Sequence, residues 1–447
     1  MGISYFGTDG IRGQANTFPL TAEVTLKVGM AAGMFFRKTS NNQHRVVIGK
    51  DTRRSGYMLE NALTAGLTAT GMNVHLLGPI PTPAIGLLTK SMRADLGVMI
   101  TASHNGYQDN GMKFFGPDGY KLSMESEKQI EKLIDTDLPL ELPENIGRAE
   151  RIDGGLGRYI EFAKTTFPKN LRLNGLRIVI DCANGAGYKV APEILWELGA
   201  EVIPIGVSPN GFNINQNCGS TDPALLIEKI KETRADVGLA LDGDGDRILV
   251  CDEKGKGIDG DQLLALFAIR LADKGQLHKN TVVATKMSNL GLQKYLEKKG
   301  ITLIKTSVGD RNISKEMRAG GFSLGGENSG HIIISKYSTT GDGIIAALQF
   351  LSALVETGKK ASEVANVFKP VPQILRNVRI YKGGDPTKDE KVQQIISNNV
   401  EKLNGKGQVF VRKSGTEPVV RVLVTGECIN SITEIANEIE NAVLMAA

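Results

Sequence analysis

The 447-residue chain is short of the features that most quickly assign a protein to a class. Its four cysteines, Cys182, Cys218, Cys251 and Cys428, are scattered and form no C-x-x-C pair. That argues against a disulfide framework and a zinc site, and for a reducing compartment. No apolar run reaches membrane-spanning length, and the first residues show no basic-then-apolar leader, so no membrane partner is expected. The formal net charge of +4 is too small for this length to argue for nucleic acid. There is no G-x-x-x-x-G-K-[S/T] loop, which disfavours a P-loop nucleotidase. Aromatic residues are scarce at 5%. A cytoplasmic globular protein is expected.

What the chain has in plenty is glycine, 52 residues, which suits tight turns and close approach of backbone to ligand. The length calls for several domains of ordinary size, and an internal repeat outlines three of them. In the first copy an apolar strand at 45–49 leads through the turn D-T-R-R-S-G into a helix at 57–70; Gly71 stops it, and a strand follows at 73–77. The second copy has a strand at 177–180, the turn D-C-A-N-G-A-G, a helix at 190–198, Gly199 and a strand at 201–205. The third has a strand at 281–285, a turn through M-S-N, a helix at 290–299, Gly300 and a strand at 301–305. Strand–helix–strand units of this length predict right-handed parallel crossovers.

Each copy is followed by a further strand that ends in a polar motif. The three stretches are A-D-L-G-V-M-I-T-A-S-H-N from Ala94, A-D-V-G-L-A-L-D-G-D-G-D-R from Ala235, and A-G-G-F-S-L-G-G-E-N-S-G-H from Ala319. Open α/β sheets bind ligands beyond the carboxyl ends of their strands, so three such domains packed around one cleft would bring the three loops together. After residue 369 the pattern changes. K-P-V-P-Q is a proline-marked linker, and the remainder reads strand, helix (388–403), strand, strand, helix (432–445). The expected fold class is α/β, with three similar domains of mixed, mainly parallel sheet at 1–155, 156–255 and 256–369. A smaller C-terminal α+β domain at 370–447 completes the cleft.

Four motifs carry candidate chemistry. In T-A-S-H-N, Ser103 follows a buried-looking strand, with His104 beside it and Lys113 a short loop later. A serine presented this way with a basic group in reach can be a covalent nucleophile, although serines after strands are common. In L-D-G-D-G-D-R, the alternating glycines let Asp242, Asp244 and Asp246 converge on one cation. Oxygen-only donors favour a hard ion, Mg²⁺ or Ca²⁺. The closing Glu of an EF-hand is missing; a solvated acidic turn is the plainer alternative. G-G-E-N-S-G-H offers Glu327, Ser329 and His331, a set suited to sugar hydroxyls or simply a polar hairpin. R-K-S-G-T-E-P has the makings of a phosphate clamp: Arg412 engages two oxygens at once, Ser414 and Thr416 add hydroxyls, and Gly415 lets N–H groups approach, with Arg421 beyond. A basic hairpin tip fits the same letters. The opening Y-F-G-T-D-G-I-R-G holds Arg12 either in a turn-rich entry loop or facing an anion. Together these motifs describe phosphoryl transfer to or from a sugar phosphate through an enzyme phosphoserine.

The same six-motif order, including S-V-G-D-R-N between the aspartate loop and G-E-N-S-G-H, resembles the α-D-phosphohexomutase superfamily over essentially the whole chain. Y-F-G-T-D-G-I-R-G, D-N-G-M-K-F-F and V-G-D-R tilt the resemblance to its glucosamine branch. The resemblance implies that Ser103 carries the phosphate and lends an oxygen to one Mg²⁺ beside Asp242, Asp244 and Asp246. It implies that Glu327 and Ser329 hold sugar hydroxyls with His331 in the same loop, and that Arg412, Ser414, Gly415 and Thr416 grip the phosphate that is not reacting. Lys113 and His104 are the matching candidates for proton transfer, with Arg12 and Arg247 supporting the phosphoryl group. The implied reaction interconverts glucosamine 6-phosphate and glucosamine 1-phosphate through glucosamine 1,6-bisphosphate, feeding UDP-N-acetylglucosamine and cell-wall synthesis. Relatives suggest a homodimer, though no surface stripe in this sequence establishes one.

Three departures stand out. Gly106 follows T-A-S-H-N where many relatives have proline, Asn328 stands where the glucosamine branch often has glutamine, and Lys286 precedes M-S-N in place of an apolar residue. A phosphomannomutase/phosphoglucomutase is the alternative within the superfamily. A non-catalytic sugar-phosphate sensor is the alternative outside it, and the intact Ser103 and three aspartates speak against it.

Overall fold

The computed structural model describes residues 5–7, 9–37, 44–380, 384–404, 406–414 and 419–447. Among them run four sheets of six, five, four and three strands. The first three share one plan. In each, a crossover pair is parallel: Arg45–Lys50 with Asn73–Pro79, Arg177–Asp181 with Glu201–Ile205, and Thr281–Thr285 with Thr302–Thr306. On the other side of the first strand of each pair lies another parallel strand, Leu96–Ile100, Val237–Leu241 or Leu324–Gly326. That strand turns back into an antiparallel neighbour, Asp109–Phe115, Ile248–Asp252 or Ile332–Ile334. The three polar motifs occupy the three equivalent turns.

The strands read as they do because helices cover both faces. Leu96–Ile100, Val237–Leu241 and Thr281–Thr285 are buried at every position, which requires near-continuous apolar runs rather than alternation. The largest hydrophobic cluster draws on all three units, with Val47, Ile85 and Met99 from the first, Ile178 and Leu239 from the second, and Val282, Leu324 and Phe350 from the third. The first unit also keeps a private cluster around Val28, Leu63 and Phe114.

The C-terminal unit stands apart. Its antiparallel sheet orders Gln373–Arg379, Val419–Gly426 and Gly407–Lys413, and its core (Val378, Val392, Val420, Ile432, Ile439) is its own. Its helices span Glu390–Lys402 and Ile429–Ala446, against expectations of 388–403 and 432–445. The first begins late because a single 3₁₀ turn, Pro386–Lys388, precedes Asp389, whose carboxylate caps the N–H groups of Lys391 and Val392. Such a cap contributes roughly 1 kcal/mol. The second begins early, with the exposed Ile429 in its first turn.

Polar contacts fasten the linker between the two parts. Gln262 donates to the Phe368 carbonyl at 2.9 Å. Asn289 grips Val371 on both sides, its Nδ2 donating to the carbonyl at 2.9 Å and its Oδ1 accepting from the N–H at 3.0 Å. Gly291 must lack a side chain, since a Cβ there would lie 2.8 Å from the Lys369 carbonyl. One residue further on, Pro372 belongs to the C-terminal unit: its carbonyl accepts from Gly426 N at 3.0 Å. No helix among the described residues is long and apolar enough to cross a membrane. All four cysteines are free thiols.

Candidate active site

Ser103 sits one turn past the carboxyl end of Leu96–Ile100, buried, with φ 53°, the left-handed region that costs a non-glycine residue about 1 kcal/mol or more. The surroundings hold it there. Its N–H donates to Thr101 Oγ1 at 2.9 Å. Its carbonyl accepts from Arg53 Nη2 at 3.2 Å and from Asn215 Nδ2 at 2.9 Å. The Asn105 carbonyl accepts from the same two side chains, at 2.6 and 2.9 Å. Arg53 is wholly buried and ion-paired with Asp51. Ser103 Oγ is thereby turned to donate to Asp242 Oδ2 at 2.6 Å.

The aspartate loop meets the serine loop backbone to backbone. A Cβ at Gly243 would stand 2.5 Å from the Ser103 carbonyl, so only glycine permits this approach. Asp242, Asp244 and Asp246 are all buried and can each direct one oxygen into a cluster within 4.8 Å. Thr82 steadies Asp244, donating its N–H to the carbonyl at 2.8 Å and its hydroxyl to Oδ2 at 2.5 Å. Lys113 Nζ donates to Asp244 Oδ2 at 2.7 Å and to Asp246 Oδ2 at 3.0 Å. Burial, reinforced by Asp246 and Asp244, raises the Asp242 carboxyl well above its ordinary range. Burial acts the same way on Asp246, but Lys113 and His331 outweigh it and hold that carboxyl well below. Burial opposes the charge of Lys113 too, and Asp244 and Asp246 more than offset it, so Lys113 stays an ammonium.

The donor set fits a hard divalent cation. All three side chains are carboxylates, Ser103 Oγ adjoins them, and the buried Oδ1 atoms of Asp244 and Asp246 have no hydrogen-bond partner. Only longer ion contacts reach Asp246 Oδ1, from His331 Nδ1 at 3.6 Å and Arg247 Nε at 3.8 Å. An uncompensated buried carboxylate oxygen of this kind is costly without a cation or a donor.

Around this centre the other expected residues take distinct places. His104 Nδ1 lies 3.2 Å from Arg247 Nη1 and 3.5 Å from Ser103 Oγ. Because guanidinium only donates, Nδ1 is the accepting nitrogen. Burial, with Arg247 and Arg12, drives the His104 pKa down to about 3, so the ring is neutral at physiological pH. Arg12 pairs with Asp9 at 2.8 Å, Asp9 with Lys121 at 2.5 Å, and Lys121 with Asp310. Glu327 Oε1 accepts from Gly309 N at 3.1 Å, and Ser329 Oγ donates to Glu327 Oε2 at 3.2 Å, so the sugar-loop candidates adjoin the V-G-D-R turn. His331, from the same loop, is turned inward: its Nε2 accepts from Gly341 N at 3.1 Å, leaving Nδ1 facing Asp246. Burial opposes protonation of His331, but Asp246 and Asp310 outweigh it and raise its pKa. Lys286 is exposed just past Thr281–Thr285.

In the C-terminal unit Arg412 and Arg421 are direct cross-strand partners. Like charges so placed repel, an arrangement that suits an anion between them. Burial and then Arg421 lower the Arg412 pKa, while Glu327 works the other way. Ser414 is buried, its N–H donating to the Val419 carbonyl at 2.8 Å. Gly415 and Thr416 lie outside the described residues.

Ser103, His104, Lys113, the three aspartates, Arg247 and His331 thus form one contiguous cluster, with Arg12 entering through Asp9. Sequence reasoning passed over Arg53, Thr82, Asn215, Asp9, Lys121 and Asp310. Asp9 and Asp310 stood inside quoted motifs and Arg53 inside a turn motif; Asn215 lies in a stretch with no periodic signal.

Four models of the phosphoglucomutase/phosphomannomutase family match in order: alpha/beta/alpha domain I over residues 4–140, domain II over 157–256, domain III over 259–371 and the C-terminal domain over 355–442. The chain belongs to this family, the phosphohexomutases. Within it, full-length relatives carry a narrower name. The phosphoglucosamine mutase of Paracoccus denitrificans (strain Pd 1222) is 57% identical over 447 residues, covering 100% of both chains. That of Zymomonas mobilis subsp. mobilis is 58% identical over 447 residues, with the same coverage. Solved structures share the fold. A phosphoglucomutase/phosphomannomutase family protein from Burkholderia thailandensis superposes with a TM-score of 0.83 at 24% identity, covering 99% of this chain and 97% of that one. The N-acetylphosphoglucosamine mutase of Aspergillus fumigatus, in complex with GlcNAc-6P and magnesium, has a TM-score of 0.67 at 20% identity, covering 100% and 96%.

Proposed function

We propose that this enzyme interconverts glucosamine 6-phosphate and glucosamine 1-phosphate, with Ser103 as the phosphate carrier. The observation that carries the reading is Ser103 Oγ, held 2.6 Å from Asp242 inside a buried carboxylate cluster, in a chain 57–58% identical to phosphoglucosamine mutases. Division into domains at 1–155, 156–255, 256–369 and 370–447 belongs to the same reading; it gives each of four loops its own domain.

In the forward direction phosphoserine 103 gives its phosphoryl group to the 1-hydroxyl of glucosamine 6-phosphate. The P–Oγ bond breaks, a P–O1 bond forms, O1 gives up its proton and Ser103 Oγ gains one. Glucosamine 1,6-bisphosphate results. After it turns over in the cleft, its 6-phosphoryl group returns to Ser103, whose Oγ loses its proton as O6 gains one. His104, whose Nδ1 lies 3.5 Å from Ser103 Oγ, is the candidate to relay a proton; with its pKa down at about 3 it keeps none between steps. Lys113, held as an ammonium by Asp244 and Asp246, neutralises charge as the phosphoryl group passes and is the other candidate for proton transfer once that cluster is rearranged by substrate. Asp242, Asp244, Asp246 and Ser103 Oγ would hold one Mg²⁺, which supplies charge stabilisation to the phosphoryl oxygens. A phosphoserine adds about −1.5 to −2 charges beside three carboxylates, so Arg247, Arg12 and Lys113 are needed as well. Glu327 and Ser329 take sugar hydroxyls, while Arg412, Ser414, Gly415, Thr416 and Arg421 take the phosphate that is not reacting. His331, beside Asp246, is suited to orient that carboxylate behind the sugar loop it belongs to.

The setting is a cytoplasmic one, to which four free thiols are suited, and a homodimer is the assembly expected. The test is direct. Wild-type enzyme should convert glucosamine 6-phosphate faster than glucose or mannose 6-phosphate, and Ser103→Ala should fold normally with mutase activity near zero. A preference for mannose 6-phosphate, or substantial activity in Ser103→Ala, would overturn the assignment.

A further inference from the structure

We infer that Asn215, backed by Arg53, is a positioning residue for phosphoryl transfer, locking the serine loop onto the aspartate loop across the boundary between two α/β units. The inference rests on the phosphoserine role of Ser103. Asn215 comes from the second unit, in the irregular stretch between Glu201–Ile205 and Ala224–Thr233, where its backbone N–H is tied to the Ala183 carbonyl at 2.9 Å. Its side chain crosses to the first unit. There Nδ2 bridges the carbonyls of Ser103 and Asn105, each at 2.9 Å. Arg53 Nη2 reaches the same two oxygens from the first unit's own turn, at 3.2 and 2.6 Å.

Three features give this bridge a catalytic rather than a merely structural meaning. Ser103 is held at φ 53°, a conformation an isolated loop would leave, and the two gripped carbonyls are its own and that of Asn105, two residues on. The bridging amide also adjoins the metal-binding loop, for a Cβ on Gly243 would lie 2.5 Å from the Ser103 carbonyl and 2.8 Å from Asn215 Nδ2. Nucleophile, aspartate loop and Asn215 therefore meet at one point, and the Ser103–Asp242 distance is fixed by the second unit itself. Finally, Asn215 Oδ1 is buried without a hydrogen-bond partner. Leaving such an acceptor unpaired is destabilising, so the amide is kept for what its Nδ2 does.

The experiment compares Asn215→Asp, which keeps the shape but removes the donor, with Asn213→Ala, which disturbs the same stretch without touching the serine loop. Misplacing a nucleophile by about 1 Å costs on the order of a hundredfold, so Asn215→Asp should lower kcat by about that factor and leave KM for glucosamine 6-phosphate within about twofold. Phosphorylation of Ser103 by glucose 1,6-bisphosphate, followed by intact mass, should slow equally; Asn213→Ala should match wild type in both. Unchanged kcat in Asn215→Asp, equal losses in the two variants, or a rise in KM alone would overturn the inference. The mass assay needs no glucosamine phosphate, so a wrong sugar assignment would appear as an inactive wild type with normal Ser103 phosphorylation.

Discussion

The three α/β units and the C-terminal unit hold their active-site groups by opposite means. The former share one continuous hydrophobic core, and the loops they contribute touch backbone to backbone, as at Gly243 and Ser103. The latter has a separate core and is tied to the rest by polar contacts such as Gln373 with Met287 and Lys294 with Glu427. Buried apolar contact between units resists displacement, because every ångström of separation exposes area. Exposed polar contacts exchange with water at little cost. On the proposed mechanism the bond-making centre is therefore preorganised, while the Arg412–Arg421 pair, in a unit held by polar contacts, is displaced at lower cost. Such a division suits a reaction in which the transferring group must not move and the substrate must turn round.

Three perturbations probe this division, in falling order of effect. Lys113→Met strikes the fixed part. Removing one partner from a buried charge cluster costs on the order of 3–5 kcal/mol, and losing a group with the proposed proton-transfer role would cost roughly 10²–10⁴ in rate. The melting temperature and kcat should both fall, and added Mg²⁺ should raise the melting temperature more in the variant than in wild type, since the freed carboxylates gain more from a cation. A variant as stable as wild type without Mg²⁺ would show that the cluster carries less strain than its geometry implies. Arg412→Lys strikes the adjustable part. Loss of a bidentate grip should raise KM about tenfold, roughly 1.4 kcal/mol, with kcat nearly unchanged. A large fall in kcat would erase the distinction between the two regions.

The smallest effect concerns pH. Burial raises the Asp342 carboxyl to about 7, although it accepts from Ile345 N at 2.9 Å and from the Tyr159 hydroxyl at 2.9 Å. The folded state therefore holds this proton more tightly than the unfolded state, whose carboxyl has the ordinary value of 3.8. Its contribution to stability is fully present below that value and is lost as pH rises toward 7. Asp342→Asn, measured by thermal unfolding at pH 5 and pH 8, should flatten the decline by a few degrees. An equally steep decline in the variant would assign the pH dependence to other groups, Asp261 among them, whose carboxyl burial also raises to about 7.

What could be read from the letters, and what could not, follows the range of the interactions. The crossovers were legible because strand and helix periodicities, and glycines such as Gly71 and Gly199 at positive φ, are local features. The serine and aspartate loops were legible because each gathers its chemistry within a few residues. Arg53 was not, because the loop carbonyls it grips lie about fifty positions away and its turn reads like any polar turn. Asn215 gave no signal at all: its meaning is a contact with another unit across more than a hundred residues. Sequence placed His331 in the sugar loop but could not show that its ring faces Asp246, next to Gly330 at φ 87°. Orientation at a turn is set by tertiary contact, and no motif records it.

The linker has one last implication. Val371 is gripped on both its N–H and its carbonyl by Asn289, while the carbonyl of Pro372 is tied to Gly426 in the C-terminal unit. Between the last peptide plane anchored on one side and the first anchored on the other stands only proline, whose ring locks φ. Along the main chain a single free dihedral, ψ of Pro372, separates the two anchors, while side-chain ties such as Gln373 to the Met287 carbonyl and Lys294 to Glu427 bridge the two parts. If Arg412 and Arg421 swing as the proposed turnover requires, breaking those few ties would let one rotation carry both side chains together.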